Sequence, residues 1–374
     1  MNRGQRLKVP TGGQVTGIEE TEAVEACLTA KQYASYRVTE QFEHEFAAYV
    51  GKKYGVFVNS GSSANLLAVT TLNELQSIKR YVTPACAFPT TINPLIQTRR
   101  EVELVDIDLE TLQPGDEANY GAMTLGNYHA YPLIEDSCDA MHPGKYTGLA
   151  QTFSFFPAHH MTTGEGGMIT TDDADFYRVA KSYRDWGRDC WCLPGNDNTC
   201  GKRFGKVVDG VRYDHKYVYS RIGYNLKASE MQAALGLAQL KKLPEFSATR
   251  VRNFKALMEG LKGMEYFFHM PKSVLPDTPW FGFPLVIKNG GFAREQLIEY
   301  LDNMGIGTRP VFAGNIRRQP AYKDVKFKGD KHLPNTDKIM RNGFWVGCWH
   351  GLTLEQVEYT AYNIKEFVYR ILMP

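Results

Sequence analysis

Two adjacent histidines, His159 and His160, lie in a polar turn between a short apolar run (153–156) and the glycine-rich segment 164–167. The run predicts a strand, and a second strand is expected at 168–171. Imidazole exchanges its proton near neutral pH, so a histidine at the end of a strand can act as a general base. Either ring could fill that role. The turn therefore indicates acid–base chemistry.

Three of the seven cysteines, Cys190, Cys192 and Cys200, are clustered, and the other four are scattered. Residues 1–6 lack the pattern of a signal peptide, so we expect a cytoplasmic protein in which disulfides are rare. Clustered thiols in such a protein favour metal or redox chemistry. Zinc and an iron–sulfur cluster both accept thiolate ligands, and the residues alone leave both open.

A third candidate site lies where a predicted strand, 54–58, meets the Gly/Ser-rich turn 59–65. An Ala/Leu/Val-rich helix is expected to follow, as far as about residue 75. Gly61, Ser62 and Ser63 would then offer backbone N–H groups and hydroxyls at a helix start, where a phosphate can bind. An ordinary helix N-cap would carry the same residues, so the turn is compatible with both interpretations.

The elements that must position these residues alternate between short apolar runs and helical patterns, which predicts a doubly wound α/β sheet. Strands are expected at 54–58, 81–83, 102–106, 131–134, 152–156, 168–171 and 281–287, and helices at 18–31, 39–50, 229–240, 293–304 and from residue 354. A chain of 374 residues is too long for one small core. We place the boundary near residue 245, which gives a large domain, 1–245, and a small domain, 246–374.

The composition is that of a soluble enzyme and argues against nucleic acid or a membrane as a partner. A hydrophobic content of 43% and a charged content of 22% are typical of a soluble globular enzyme. A net charge of +2 with mixed signs gives no reason to expect nucleic acid or a membrane surface as a partner. No apolar run in the sequence is long enough to span a bilayer.

Many separated motifs resemble those of the sugar-nucleotide aminotransferase (DegT/DnrJ/EryC/StrS) superfamily of fold type I pyridoxal-phosphate proteins. Within it, the chain is most similar to the branch of 3-dehydratases that act on CDP-4-keto-6-deoxyglucose in the synthesis of lipopolysaccharide 3,6-dideoxysugars. The motifs are N-S-G-S-S-A-N (59–65), F-P-T-T (88–91), I-E-D-S-C-D-A (134–140), F-P-A-H-H (156–160), G-E-G-G (164–167), D-W-G-R-D-C-W-C (185–192), Y-D-H-K-Y (213–217) and G-Y-N-L-K (223–227). The resemblance implies a large cofactor-binding domain with a mostly parallel, seven-stranded sheet, a smaller C-terminal α+β domain, and a homodimer.

The resemblance also implies a site for pyridoxamine phosphate (PMP). In it, Gly61, Ser62, Ser63 and Ser154 would hold the phosphate, Phe88 would stack on the ring, Asp136 would face the ring nitrogen, Asp139 would contact the phenolic oxygen, and Asn225 would reach the phosphate of the neighbouring subunit. A carboxylate at the ring nitrogen keeps it protonated, so that the ring can accept electrons. Each of two residues also has a purely structural interpretation. Ser154 could be an inward-facing strand serine bonded to the backbone, and Phe88 could be an aromatic of the core.

His159 stands where the aminotransferases of the superfamily carry the lysine that binds the cofactor. The family spacing of five residues from Ser154 favours His159 over His160. Imidazole cannot form a Schiff base, so the resemblance implies non-covalent PMP and a base that removes a proton from its C4′ carbon. The expected reaction is loss of the C3 hydroxyl from a nucleotide-linked 4-keto-6-deoxyhexose rather than amino transfer.

Four thiols match the ligands of the 2Fe-2S cluster in this branch, namely Cys138, Cys190, Cys192 and Cys200. Such a cluster would pass single electrons to the dehydrated product. No G-x-G-x-x-G motif follows a predicted strand, so NAD(P)H is not expected to bind this chain. The electrons are therefore expected from a separate flavin or iron–sulfur NAD(P)H reductase.

Three other interpretations stay open. The first is a cluster-free 3-dehydratase that regenerates its cofactor with glutamate, and the second is a sugar-nucleotide aminotransferase, which His159 disfavours. The third is a non-catalytic binding or scaffold protein. The segment 113–133, which is shorter than its counterpart in the family, keeps this last interpretation open.

Overall fold

Seven strands form the large α/β layer of the computed structural model, which describes residues 6–112, 123–125, 134–144, 146–190, 192, 198–272, 277–288 and 291–372. They are β1 (Tyr54–Val58), β2 (Arg80–Pro84), β3 (Glu101–Val105), β4 (Met123–Leu125), β5 (Ile134–Asp136), β6 (Ala150–Ser154) and β7 (Gly167–Thr171). Five form one sheet in the order β1-β7-β6-β5-β4, and β2 pairs with β3 beside β4. Strands β1, β5 and β6 share a direction that β4 and β7 oppose, so this five-stranded sheet is mixed.

Helices cover the sheet and connect it to the rest of the chain. They are α1 (Ile18–Thr29), α2 (Arg37–Tyr49), α3 (Gly61–Leu75), α4 (Pro89–Gln97), α5 (Ala174–Arg184), α6 (Glu230–Gly260), α7 (Arg294–Asn303), α8 (Pro334–Asn342) and α9 (Leu354–Leu372). Short 3₁₀ turns lie at His215–Tyr217, Ile316–Arg318 and Pro320–Tyr322. Among the described residues, no helix is both long enough and apolar enough to cross a membrane.

Helix α3 lies at the centre of the large layer. Its buried face, which includes Ala64, Leu67 and Leu72, belongs to one core with Val56 of β1 and Ile169 of β7. Burial of a leucine side chain stabilises a fold by about 1.5–3 kcal/mol. The helix start is thereby held against the ends of β1 and β6.

An aromatic cluster supports the strand end that precedes the two histidines. Phe42 and Phe46 of α2 pack against Phe155, with ring centroids 5.4 and 5.0 Å away. Phe46 also meets Phe153 at 5.1 Å in an edge-to-face contact. Such pairs contribute about 0.5–1.5 kcal/mol each beyond the area that they bury. The backbone that leads to His159 is therefore fixed from the side of α2.

The C-terminal part of the chain forms a second sheet, with the order β10-β11-β13-β12. Its strands are β10 (Phe268–His269), β11 (Gly282–Ile287), β12 (Thr308–Arg309) and β13 (Gly343–Gly347), whereas β8 (Lys206–Val208) and β9 (Val211–Tyr213) form a separate hairpin. Helix α6 runs without a break through residue 245, where we predict the domain boundary, and Val9 of the N-terminal segment packs into the C-terminal core. The division at residue 245 stays a prediction.

Within the shortened segment 113–133, only the backbone of β4 belongs to the described residues. The strand expected at 131–134 is found at Ile134–Asp136, and residues 131–133 lie outside the description.

Candidate active site

A cavity of about 1320 Å³ opens between the large layer and the C-terminal sheet. Eight of the residues that we predict for the site line it, namely Gly61, Ser62, Phe88, Asp136, Cys138, Asp139, Ser154 and His159. The C-terminal part closes the opposite wall with Trp280, Phe281, Arg309 and Trp345, among others. The cavity is large enough for a cofactor together with a small substrate.

The start of helix α3 forms one end of the cavity. Ser60 is the N-cap, and its hydroxyl accepts a hydrogen bond of 3.0 Å from the Ser63 backbone N–H. The Ser63 hydroxyl donates to Asn59 Oδ1 at 2.6 Å, so it supports the cap and does not line the cavity. The first N–H groups of a helix have no partner inside it and carry the positive end of its dipole. This end of the cavity is suited to a phosphate.

Gly61 lets the helix start approach strand β6 closely. A Cβ atom at this position would lie 2.6 Å from Ser154 Cβ and 3.0 Å from Ser154 Oγ. Gly167 is constrained in the same way, because its Cβ would lie 2.4 Å from the Ser60 carbonyl oxygen. The two glycines bring the Ser154 hydroxyl and the helix N-terminus to the same end of the cavity, as a phosphate site requires.

Asp136, at the end of β5, is held by hydrogen bonds from three sides. Its Oδ2 accepts from Asn65 Nδ2 at 2.9 Å and from the Thr91 hydroxyl at 2.6 Å, and its Oδ1 accepts from the Cys138 backbone N–H at 3.3 Å. Thr152 in turn donates to Asn65 Oδ1 at 2.6 Å. The side chain is only 5% exposed and still lines the cavity. The network fixes a carboxylate in a single orientation.

His159 and Asp139 face each other in the cavity wall. His159 Nδ1 lies 3.2 Å from Asp139 Oδ1, although the contact is not aligned as a hydrogen bond. The imidazole also packs against the ring of Phe281, with centroids 5.1 Å apart. Cys138 lies between Asp136 and Asp139 in the chain. Burial, followed by the charge of Asp136, raises the pKa of its thiol well above the ordinary value.

His160 turns away from the cavity into the core. It is fully buried, and its Nε2 lies 2.5 Å from the carbonyl oxygen of Pro279. Burial, followed by the nearby charge of Arg250, lowers the pKa of His160 well below its ordinary value. Of the two candidate bases, only His159 lines the cavity.

Arg250, on helix α6, is a buried cation that no motif in the sequence singles out. Its Nη2 donates to the carbonyl oxygens of Ala158 (3.3 Å) and His159 (2.8 Å). Its Nη1 donates to those of Trp280 (3.2 Å) and Phe281 (3.0 Å). Burial lowers the pKa of this guanidinium to about 10, so it is charged at neutral pH. One side chain therefore joins the backbone of the His159 turn to the opposite wall of the cavity.

Phe88 and Asn225 lie at the edges of the site. Phe88 is the N-cap of α4, lines the cavity and is 53% exposed, so its ring is available to a ligand. Asn225 is exposed, forms a backbone bridge with Asp185 and does not line the cavity of its own chain. Its predicted role across a subunit interface stays a prediction.

The clustered thiols come together outside the cavity, around His215. The Nε2 atom of this ring lies 3.7 Å from Cys190 Sγ and 3.9 Å from Cys192 Sγ, and Cys200 Sγ lies 3.8 Å from Nδ1. Among the described residues, Cys190, Cys192 and His215 form the group whose spacing fits a metal ion. Cys138, the fourth predicted ligand, lies in the cavity wall instead. The sequence analysis did not select His215, although it lies in the motif Y-D-H-K-Y.

The environment of the thiols differs along the cluster. Burial raises the pKa of Cys190. Burial also acts to raise that of Cys192, but hydrogen bonds from the Thr199 side chain and the Cys200 backbone lower it to about 7. A thiolate at Cys192 is therefore accessible near neutral pH, and thiolates are the form that binds metals.

The family model of the DegT/DnrJ/EryC1/StrS aminotransferase family matches residues 15–119 and 120–365. The chain belongs to this family. Members share the fold type I architecture of pyridoxal-phosphate enzymes, and the α/β fold described above matches solved structures of that type over nearly the whole chain.

Two curated relatives of this DegT/DnrJ/EryC1/StrS family protein are similar at full length. The lipopolysaccharide biosynthesis protein RfbH of Salmonella typhimurium is 40% identical, over 96% of this chain and 91% of that protein. The dTDP-4-dehydro-2,6-dideoxy-D-glucose 3-dehydratase of Saccharopolyspora spinosa is 39% identical, over 96% and 86%. Among solved structures, Escherichia coli GDP-4-keto-6-deoxy-D-mannose-3-dehydratase with bound hydrated PLP superposes with a TM-score of 0.82 at 27% identity, covering 96% of this chain and 100% of that one.

Proposed function

We propose that this protein is a PMP- and 2Fe-2S-dependent 3-dehydratase that removes the C3 hydroxyl of a nucleotide-linked 4-keto-6-deoxyhexose, with CDP-4-keto-6-deoxy-D-glucose as the substrate. The observation that carries the proposal is His159, which lines the cavity at the position where the lysine of the aminotransferases is expected. Similarity to RfbH and to a curated 3-dehydratase supports the reaction class. The CDP moiety rests on the sequence motifs alone.

The residues present fit the cofactor. The start of α3, Gly61 and the Ser154 hydroxyl form a compact end of the cavity for the phosphate. Asp136, held in one orientation by Asn65 and Thr91, is a carboxylate suited to a protonated ring nitrogen. When bound, PMP supplies an amine that joins the 4-keto group and a ring that accepts electrons during the elimination.

The chain itself moves the proton. Asp139 faces Nδ1 of His159, which favours the tautomer with the proton on that atom and leaves Nε2 as the acceptor. Nε2 can then take a proton from the cofactor carbon and return one to the departing hydroxyl. Without a lysine at position 159, no side chain there can form a Schiff base and complete an amino transfer.

The metal centre supplies the redox half of the proposal. Cys190, Cys192 and Cys200 offer three soft ligands in one place, which suits an iron–sulfur cluster. The seven cysteines carry no disulfide, which suits a reducing, cytoplasmic compartment. We propose a separate flavin or iron–sulfur NAD(P)H reductase as the electron donor, and a homodimer in which Asn225 contacts the cofactor of the partner subunit.

The proposal is tested on the full-length enzyme, purified anaerobically and loaded with PMP and CDP-4-keto-6-deoxyglucose. His159→Asn is expected to bind both molecules but to lower the rate of hydrogen exchange at the cofactor C4′ carbon by about 10²–10⁴, the contribution of a positioned general base. Substitution of an exposed histidine, His332→Gln, serves as the control. Unchanged exchange in His159→Asn would remove His159 as the base and shift that role to His160, whereas no exchange in the wild-type enzyme would contradict the reaction itself.

A second candidate is a cluster-free 3-dehydratase that uses glutamate. It is favoured by the structural similarity to a GDP-4-keto-6-deoxymannose-3-dehydratase solved with a trapped PLP–glutamate geminal diamine, at a TM-score of 0.81 and 25% identity. The thiols would then hold a structural zinc ion. Release of ammonia from glutamate during turnover, without added reductase, would select this candidate.

A further inference from the structure

We propose that residues 11–13, the N-terminal strap, bind the C2 hydroxyl of the hexose and thereby select a substrate that carries it. This recognition rests on the proposed function, because the hexose is the substrate of that reaction. In a nucleotide-linked 4-keto-6-deoxyhexose, C1 carries the nucleotide, C4 is the ketone and C6 is a methyl group. The C3 hydroxyl leaves, so the C2 hydroxyl is the one that remains for recognition.

The strap lies beside the turn that carries the proposed base. Thr11, Gly12 and Gly13 all line the cavity. A Cβ atom at Gly12 would lie 3.4 Å from Ala158 Cβ, so the strap packs against the residue that precedes His159. His159 acts at the cofactor carbon and at the C3 hydroxyl in the proposed function, so C3 lies beside it. C2 is bonded to C3, which brings its hydroxyl to the strap.

The segment that leads into the strap is joined to the C-terminal part of the chain. The Val9 N–H donates to the Gly305 carbonyl at 2.8 Å, and the Gly307 N–H donates to the Val9 carbonyl at 2.9 Å. The Val9 side chain is buried in the C-terminal core. These contacts fix the point at which the strap enters the cavity wall.

Trp349 and Gln239 hold the strap on its two sides. Trp349 Nε1 donates to the Pro10 carbonyl at 3.1 Å, and a Cβ atom at Gly13 would lie 2.7 Å from the buried Trp349 ring. Gln239 Nε2, on helix α6, donates to the Val15 carbonyl at 2.9 Å. The strap is therefore a fixed part of the wall, and a group that is already ordered binds a ligand at a lower entropic cost.

The strap carries donors that the fold does not use. Among the described residues, the Thr11 hydroxyl and the N–H groups of Thr11, Gly12 and Gly13 have no hydrogen-bond partner. A ligand that covers such groups without pairing them loses free energy, because their hydrogen bonds to water are not replaced. A sugar hydroxyl can accept from an N–H and exchange a hydrogen bond with a threonine hydroxyl. The strap therefore favours a hexose with a hydroxyl at this point.

Other polar groups near the base already have partners. Asp139 faces His159 Nδ1 at 3.2 Å. Asn65 and Thr91 both donate to the Asp136 carboxylate, at 2.9 and 2.6 Å. These groups are committed to the base and to the cofactor ring, whereas the donors of the strap have no such assignment.

The test titrates the full-length protein, purified anaerobically and loaded with PMP, with three unreactive probes in a calorimeter. They are CDP-6-deoxyglucose, which has a hydroxyl instead of the ketone at C4, its 2-deoxy analogue, and CDP. The wild type should bind CDP-6-deoxyglucose about tenfold more tightly than the 2-deoxy analogue, as expected for one or two neutral hydrogen bonds.

Thr11→Val keeps the shape of the side chain and removes its hydroxyl. It should weaken the binding of CDP-6-deoxyglucose by about threefold to tenfold and leave the 2-deoxy analogue and CDP unchanged. Thr11→Ser should retain the preference of the wild type. Thr16→Val, at an exposed position of the same segment and outside the cavity, is the control.

Gly13→Ala tests the backbone of the strap. The new methyl group would meet the Trp349 ring, so the strap must move away from it. This variant should also lose the preference for the 2-hydroxy probe, while its affinity for PMP stays at the wild-type value. Circular dichroism of each variant separates a local effect from unfolding.

The outcomes separate the strap from the reaction. Equal affinity of the wild type for the two hexoses, or an equal loss for all three probes in Thr11→Val, overturns the recognition and leaves the dehydration intact. A preserved preference without hydrogen exchange at the cofactor C4′ carbon upholds the strap and overturns the reaction. If the wild type binds no CDP-linked probe, the same pair linked to dTDP is titrated. A preference for the 2-hydroxy form then upholds the strap and corrects the nucleotide, whereas no binding overturns both proposals.

Discussion

His159 Nδ1 and Asp139 Oδ1 lie 3.2 Å apart in the wall of the cavity. A carboxylate close to one ring nitrogen favours the tautomer that carries the proton on that nitrogen, so the other nitrogen is the acceptor. Asp139 follows Cys138 and Asp136 at the end of β5, whereas His159 follows β6. The parallel pairing of these two strands brings the two side chains together.

Asp139→Asn should lower kcat by about tenfold to a hundredfold, a part of the 10²–10⁴ that a positioned base contributes, and should leave KM nearly unchanged. The amide keeps the shape of the side chain but removes the charge that orients the imidazole. Steady-state kinetics of the loaded enzyme measure both constants. Asp324→Asn, at an exposed position, is the matched control. A wild-type kcat in Asp139→Asn would contradict the role of this contact.

Arg250→Met should lower both stability and kcat. It leaves four buried carbonyl oxygens without their donor, those of Ala158, His159, Trp280 and Phe281. A buried acceptor that loses its hydrogen bond costs about 1–3 kcal/mol. Thermal unfolding and kcat are the measurements. Arg178→Met, on the exposed face of α5, should change neither.

Arg250→Lys separates the geometric role of this residue from its charge. A lysine keeps the charge but lacks the planar fork that reaches both walls of the cavity. Its kcat should therefore fall further than its stability. Equal recovery of kcat and stability would show that Arg250 acts by charge alone.

Gly61→Ala should weaken PMP binding by at least about tenfold, or 1.4 kcal/mol. The new methyl group would lie 2.6 Å from Ser154 Cβ, so the helix start must move away from the hydroxyl at that end of the cavity. Titration of the apoprotein with PMP, followed by absorbance, measures the affinity. Gly205→Ala, which meets no atom closer than 3.3 Å, is the control. Unchanged affinity would place the phosphate elsewhere.

Stability should fall in mildly acidic solution because one buried histidine, His160, and one partly buried histidine, His350, are held in neutral form. Burial and the charge of Arg250 lower the pKa of His350 to about 3 and that of His160 well below its ordinary value. The unfolded chain therefore binds these protons first, at about pH 6.5 and below, while the folded chain does not. The stabilisation is complete above pH 6.5 and decreases as the pH falls, by about 1.4 kcal/mol per pH unit for each group.

Urea unfolding at pH 7.5 and pH 5.5 measures this dependence. His350→Gln should reduce the difference between the two values by about 1 kcal/mol. His44→Gln, at an exposed site on α2, should leave it unchanged. A difference that His350→Gln does not alter would assign the acid sensitivity to other groups.

Local signals in the sequence located most of the elements near the site. Strand β1 has its predicted bounds, and helix α3 ends near residue 75 as expected but begins at Gly61, inside the predicted turn 59–65. The short apolar run and the Ser60 cap are properties of neighbouring residues. Helix α6 was predicted only to residue 240 but continues to Gly260, with Pro244 inside it. Its later turns pack against α9, where Phe254 and Leu257 share a core with Val357 and Ala361, and residue patterns do not contain such contacts.

The residue types of the chain determined the chemistry: a histidine where a lysine is expected, a carboxylate at a strand end, and three clustered thiols. The tertiary structure alone decided which of these meet. It placed His159 in the cavity and His160 in the core, joined Arg250 to the His159 turn across 91 residues, and brought His215 to the thiols while Cys138 faced the cavity. Such contacts depend on how strands pair and how loops close. The spacing of residues along the chain does not determine which distant side chains meet in space.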